Sequence, residues 1–301
     1  MTSAMEDRIK TITPAMYHST GILGVYIRTQ LFERVIEGLN QMITAEREPG
    51  TEVLRFPPVM SLKTLEKSGY VRNFPNLLGG VCCMPSDAPV DPHAEAKPGH
   101  EHVWADSAEV SDLVLTPAAC YPVYPLAAAR GPVPADGLKF DVASDCFRRE
   151  PSVKLDRLQT FRMREYVCIG TGEQVMAFRT RWLARGQEMA TRLGLTFHID
   201  RASDPFFGRM AQLMAASQME GALKFELLVP IYGSDAPTAC MSFNYHREHF
   251  GHTWDMNHAN GEHAHTGCAA FGLDRLALAL FATHGADLER WPAGVRAALG
   301  F

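Results

Sequence analysis

Apolar positions along this chain follow two rhythms, one of helices and one of strands. Leu31, Val35, Ile36, Leu39 and Met42 recur at helical spacing inside residues 26–46 and predict a long amphipathic helix. Pro57 and Pro58 interrupt any helix and set an extended entry into residues 55–84. Residues 85–105, rich in Pro and His, predict a surface loop. Helix-forming composition returns at 175–195 and at 206–223. Short strand-like runs occupy 195–200, 224–232 and 239–245, and residues 268–285 open as a strand and continue as an apolar helix. Strands mixed with helices, without regular alternation, predict an α+β fold with a mostly antiparallel sheet flanked by helices.

The stretch CFRREPSVKLDRLQTFRMREY, residues 146–166, holds five arginines. Its apolar residues lie on both sides of a polar middle containing Pro151 and Lys154, which predicts two strands joined by a long loop, with the arginines facing a common cleft. A solvated charged hairpin is the competing reading. Arg148 here and Arg275 at the start of the last apolar helix never titrate, and each offers a planar fork suited to phosphate. Glu150 offers an acceptor for an adenine amino group, and Phe161 a flat face for stacking.

Composition narrows the classes. With 301 residues, 46% of them hydrophobic, the chain can bury a sizeable core as one large domain or two modest ones. Its 29 Lys+Arg against 34 Asp+Glu give a net charge of −5, so no overall positive field exists to hold nucleic acid. No uncharged apolar run reaches the ~18 residues of a membrane span, and MTSAMEDRIK lacks the apolar core of a signal peptide. A cytoplasmic protein without a membrane partner is the expectation. The seven cysteines (82, 83, 120, 146, 168, 240 and 268) include no CxxC pair, which argues against a disulfide framework and a local zinc finger. Adjacent Cys82 and Cys83 read as core. His246, His249, His252, His258, His263 and His265 show no HExxH or finger spacing and read as surface or hydrogen-bonded side chains.

Three motifs carry a resemblance. FRRE at 147–150 resembles motif 2 of class II aminoacyl-tRNA synthetases, AFGLDR at 270–275 resembles motif 3 with Ala270 replacing its first glycine, and RFPPVM at 55–60 fits the proline-centred motif 1. They occur in family order across nearly the whole chain. RLQTF at 157–161 and KFELLVP at 224–230, with Lys224 replacing an aspartate, are similar to the seryl enzymes' catalytic domain. The first 30 residues do not resemble the coiled-coil arm with which ordinary seryl enzymes grip tRNA. Cys120, Glu165 and Cys268 fall where archaeal-type, zinc-dependent seryl enzymes place a Cys, Glu, Cys metal site. RLQTFRMREY and HTGCAAFGLDR resemble the truncated bacterial relatives of those enzymes, the amino acid:carrier-protein ligases.

That resemblance implies a class II synthetase-like ligase, a homodimer with residues 1–301 of each chain forming a single catalytic domain, that activates an amino acid with ATP and Mg2+. The aminoacyl group would pass to the phosphopantetheine thiol of an acyl carrier protein, and tRNA would not be a partner. Arg148 would act at the α-phosphate and Arg275 at the γ-phosphate; Glu150, Phe161, Lys224, Glu226 and the main chain of Arg157 and Leu158 would complete the ATP site. Zn2+ on Cys120, Glu165 and Cys268 would hold the substrate amino group, with Glu165 orienting it. Ala239, Cys240 and Met241 would floor the amino-acid pocket, and the bulk of Met241 favours glycine or alanine. Residues 204–222 form an insertion relative to the seryl pattern, and its Arg209, Met210, Leu213, Met214 and Met219 make it the expected carrier-docking helix. The arginines at 179, 181, 185 and 192 offer a second docking candidate. Two other readings stay open: a free-standing seryl-type fragment that charges tRNA, and a catalytically retired paralogue acting as a regulator. The intact Arg148, Glu150, Arg275 and Cys, Glu, Cys set argues against the last.

Overall fold

A computed structural model describes residues 2–86, 108–209 and 211–301, with the backbone alone for residues 2–4. Most of the loop expected at 85–105 therefore lies outside the described residues, as does Met210. The large sheet has seven strands, numbered here in chain order: Glu52–Arg55 (β1), Leu138–Phe147 (β2), Thr160–Gly170 (β3), His198–Arg201 (β4), Lys224–Val229 (β5), Thr238–Arg247 (β6) and His265–Gly272 (β7). Their spatial order is β1-β2-β3-β7-β6-β5-β4. Every pairing is antiparallel except β1 with β2 at the edge. The architecture is an antiparallel-rich sheet flanked by helices, the α+β arrangement that the sequence predicts.

Helix Gln30–Ala45 (α1) begins later than its apolar spacing predicts, because residues 26–28 form a short strand. Thr29 marks the boundary: its side chain accepts from the Phe32 amide and takes up one of the helix's free donors. Helix Gly172–Arg192 (α2) carries a complete capping box, with Thr171 accepting from the Gln174 amide and Gln174 accepting in return from the Thr171 amide. Thr171→Ala is expected to lower stability by about 1 kcal/mol, read as a reduced denaturation midpoint with unchanged slope. The helix expected over 206–223 contracts to Ala211–Glu220 (α3), followed directly by Gly221. Helix Leu273–His284 (α4) follows β7 without a loop, as its sequence predicts.

Alternation along β3 assigns the charged residues of the opening stretch to two faces. Arg162, Arg164, Tyr166 and Cys168 face the helix layer. Arg162 bonds Glu33 of α1 at 2.6 Å, Arg164 bonds Asn40 and Thr44, and the Tyr166 hydroxyl donates to the Ile43 carbonyl. Arg164 also meets the fully buried Asp141 at 2.6 Å, with Arg47 and Arg55 on the same carboxylate. This corrects the expectation that all the arginines share one cleft: a period of two sends Arg162 and Arg164 away from it. Phe161, Met163 and Glu165 occupy the opposite face.

The main core packs the helix side of the sheet, with Trp182 of α2 stacked on Tyr166 at 4.2 Å between ring centres. A second cluster, including Phe140, Val167, Tyr124 and Phe250, lies on the other side. A three-stranded sheet of 59–61, 109–115 and 80–83 flanks it. Cys82 and Cys83 sit on the last of these strands and are exposed, so they are not core. No described helix is long and apolar enough to cross a membrane.

Candidate active site

The cleft face of the sheet gathers residues from four neighbouring elements. Glu165 on β3 pairs in register with Ala270 on β7, and Cys268 stands two residues from Ala270 on the same face. Cys120 arrives from the turn before helix Val123–Ala128. The three ligand atoms lie within 4.8 Å of one another and all three residues are buried. The Cys120 amide donates to Glu165 Oε1 at 3.0 Å, leaving the second carboxylate oxygen for another partner. Asn244 of β6 donates to Cys268 Sγ at 3.3 Å.

Burial raises the Glu165 carboxyl above its usual range. The Cys120 thiol is raised by its hydrogen bond to Cys268 and by burial. For Cys268 the hydrogen bond to Cys120 pulls down, but burial and the neighbouring carboxylate prevail and the thiol is raised. Three anionic groups packed this closely are costly unless a cation neutralises them. Two sulfurs and one carboxylate oxygen suit tetrahedral zinc and leave it one open position. The residues therefore fit the metal that the sequence pattern implies. The six histidines do not join the cluster; His246 comes nearest, with Nε2 at 3.9 Å from Cys268 Sγ, Nδ1 on Thr266, and burial pushing its pKa down to about 4.

The cluster lies in the wall of a cavity of about 520 Å³, which Arg148, Lys224, Glu226 and Arg275 also line. A smaller cavity of about 50 Å³ shares Arg148, Gly272 and Arg275 with it and adds Glu150, Leu158 and Phe161. Arg148 donates Nε to the Pro117 carbonyl at 3.0 Å, and its guanidinium lies 5.3 Å from the Phe161 ring centre. Arg275 is held by the carbonyls of Asp156 and Ala239 at 2.9 and 3.0 Å. The two guanidinium groups and the stacking ring thus meet at the junction of the cavities. Arg157 stands outside both linings and reaches Glu150 at 3.4 Å. Lys224, expected on ATP, already engages Asp204 at 2.6 Å and Glu226 at 2.9 Å.

The expected floor residues divide. Ala239, Cys240 and Met241 all line the cavity, but the Met241 sulfur lies on the α2 side, where a Cβ added to Gly186 would meet it at 3.3 Å. Its sulfur is turned toward that helix, and residue alternation on β6 points Ser242 and Asn244 to the cleft. Sequence reasoning missed Asn244, His246, Asp204 and Asp156. Asp156 is 7% exposed, accepts from Thr238 at 2.6 Å and keeps Oδ1 without a protein partner. Only the strand period offered a signal, and only for Asn244 and His246, two and four residues beyond Ser242.

No family model matches the chain. Comparison with curated proteins finds 59% identity over 294 residues with amino acid–acyl-carrier-protein ligase 1 of Bradyrhizobium diazoefficiens, covering 98% of this chain and 90% of that one. Ligase 2 of the same organism is 57% identical, covering 98% and 88%. A type-2 serine–tRNA ligase of Methanopyrus kandleri is 26% identical over 284 residues, and the alignment spans only 53% of its length. Among solved structures, the M. kandleri seryl enzyme in complex with an A. aeolicus tRNA superimposes with a TM-score of 0.79 at 23% identity, covering 98% of this chain and 59% of that one. A serine–tRNA ligase from Naegleria fowleri gives 0.71 at 12%, covering 98% and 65%.

Proposed function

The chain belongs to the family of amino acid–acyl-carrier-protein ligases, and from that premise we propose that it activates glycine or alanine with ATP and passes it to the phosphopantetheine thiol of a carrier protein. The observation that carries this reading is the meeting of Arg148, Arg275 and Phe161 with the Cys120, Glu165, Cys268 cluster in the walls of adjoining cavities. One end suits a nucleotide and the other an amino group.

Phe161 stacks adenine, and Glu150 with the Arg157–Leu158 main chain reads its edge. ATP enters as its magnesium complex, with Glu226 among the acidic groups near the polyphosphate. The substrate carboxylate attacks the α-phosphorus in line and pyrophosphate departs, while Arg148 meets the charge that develops there and Arg275 holds the far phosphate. Zinc, when bound by Cys120, Glu165 and Cys268, supplies a Lewis-acid position for the α-amino group. Glu165, fixed by the Cys120 amide, orients that amine. Tyr121, His246 and Phe250 line the same cavity, and their crowding, in place of Met241, supports a small side chain. Carrier docking is assigned to the segment around α3, which exposes Phe207, Leu213 and Met219 beside Arg209. The same reading makes the enzyme a homodimer and, for lack of a positive field, not a tRNA ligase.

The test is amino-acid-dependent ATP–pyrophosphate exchange, followed by label transfer to holo carrier, apo carrier and total tRNA in parallel. Exchange should be strongest with glycine or alanine, and label should reach holo carrier alone. Label on tRNA with none on holo carrier would establish the seryl-type alternative, and exchange best with serine or a large amino acid would overturn the substrate assignment.

A further inference from the structure

One wall of the larger cavity meets the rest of the protein through the Phe206 ring, stacked on Phe74 at 5.4 Å, and the Phe207 amide, which donates to the Asn73 carbonyl at 2.8 Å. Asp204 and Phe206 lead into α3, whose Met214 and Gln218 also line the cavity, yet no residue of α3 is buried. A helix of this kind gains little from burial to keep it in place.

What fixes α3 itself, beyond that stack, is polar. Lys224 at the start of β5 reaches Asp204 Oδ1 at 2.6 Å and Glu226 Oε1 at 2.9 Å. Gln218 on α3 completes the junction: its Nε2 donates to Asp204 Oδ2 at 2.9 Å, and its Oε1 accepts from the Asp204 amide at 2.7 Å. The lysine side chain is only 11% exposed, so its charge is shielded from water and its pairings are stronger than surface ones. Behind the junction Arg179 donates to the Ala222 carbonyl at 2.5 Å. Ala222 itself has φ +47, a left-handed conformation that an alanine adopts only when its surroundings enforce it.

The geometry points to Lys224, Asp204 and Gln218 as a latch that keeps this wall closed over the aminoacyl adenylate and excludes water until the carrier thiol arrives. The inference rests on the proposed activity. The adenylate is a mixed anhydride, and two nucleophiles compete for its carbonyl carbon. Water attack breaks the bond to AMP and returns free amino acid. Thiol attack forms the carbon–sulfur bond as AMP leaves with the electron pair of the broken bond, and the thiol proton passes to solvent. Both routes consume one ATP, so the closure of the wall decides how many ATP molecules yield thioester. Removing one charge-assisted partner shifts a closed–open equilibrium by about tenfold or more. The latch assigns the three a positioning role, through their bonds to one another in the cavity wall.

The experiment compares wild type with Asp204→Asn, Gln218→Leu and Lys224→Met, and includes Asp204→Glu as the conservative rescue. AMP release, thioester on holo carrier and ATP–pyrophosphate exchange are measured together. AMP release in the absence of carrier, relative to exchange, should rise at least roughly threefold in the first three variants, and the ratio of AMP to thioester with it, both returning toward wild type with Asp204→Glu; a raised ratio without raised carrier-free release marks lost docking on α3 and overturns the latch. A damaged fold lowers both products without changing their ratio, so an unchanged ratio, with or without lost exchange, overturns the latch. Absence of exchange in the wild type overturns the activity reading instead.

Discussion

Cys268→Ala is expected to strip the protein of zinc, from about one ion per chain to a small fraction, and to reduce ATP–pyrophosphate exchange by roughly 10²-fold or more. Cys268 supplies one of the two sulfurs in a set of three ligand groups. Without it, a thiol and a carboxylate remain, and two groups do not hold zinc against water. The control is Cys168→Ala, because Cys168 belongs to the core on the helix side of the sheet and not to the cluster. That variant, like His249→Ala, should keep its metal. Metal analysis after dialysis decides the matter: full zinc retention in Cys268→Ala would remove Cys120, Glu165 and Cys268 as the site.

Arg148→Ala should lower the rate of exchange by about 10²- to 10³-fold, with the loss mainly in kcat, since a donor aimed at the charge developing on the α-phosphate acts in the transition state more than in the ground state. The structure supports that aim. The Pro117 carbonyl fixes Nε of Arg148, which turns the other end of the fork toward the junction of the two cavities. Arg148→Lys should recover little, because an ammonium cannot hold both the carbonyl and a phosphate oxygen in one plane. A variant whose KM for ATP rises while kcat is unchanged would reassign Arg148 to simple nucleotide binding.

Several elements were legible from residue pattern alone because local physics settles them. The β7–α4 junction is one: an apolar strand meets an apolar helix at Gly272, and the break falls there. The helix expected from composition at 175–195 is another, although it runs three residues earlier, at 172–192, because the Thr171 capping box sets its start. The joining of Cys120 to Glu165 and Cys268 was not legible from spacing, because sequence separations of 45 and 103 reduce to neighbours only in the folded sheet, where β3 and β7 pair. Family likeness carried that part. Sequence reading failed where it treated a cluster of like residues as a cluster in space. Arg162 and Arg164 share a stretch with Arg148 but face α1. Met241 follows two floor residues, yet its sulfur turns toward Gly186. Cys82 and Cys83 look apolar in sequence but lie exposed on a small sheet. In each case the side chain's direction is set by sheet pairing that no local window contains.

The two faces of β3 also constrain any attempt to redesign the enzyme for other amino acids. Substitutions at 161, 163 and 165 alter the cavity walls, whereas those at 162, 164 and 166 break bonds to α1 and Asp141 that hold the scaffold together. A randomised library spanning the strand would spend half its diversity on unfolded protein. Libraries confined to Met163, joined with Ser242 and Asn244 on the neighbouring strand, would sample new specificities while Phe161 and Glu165 stay fixed for the nucleotide and the metal.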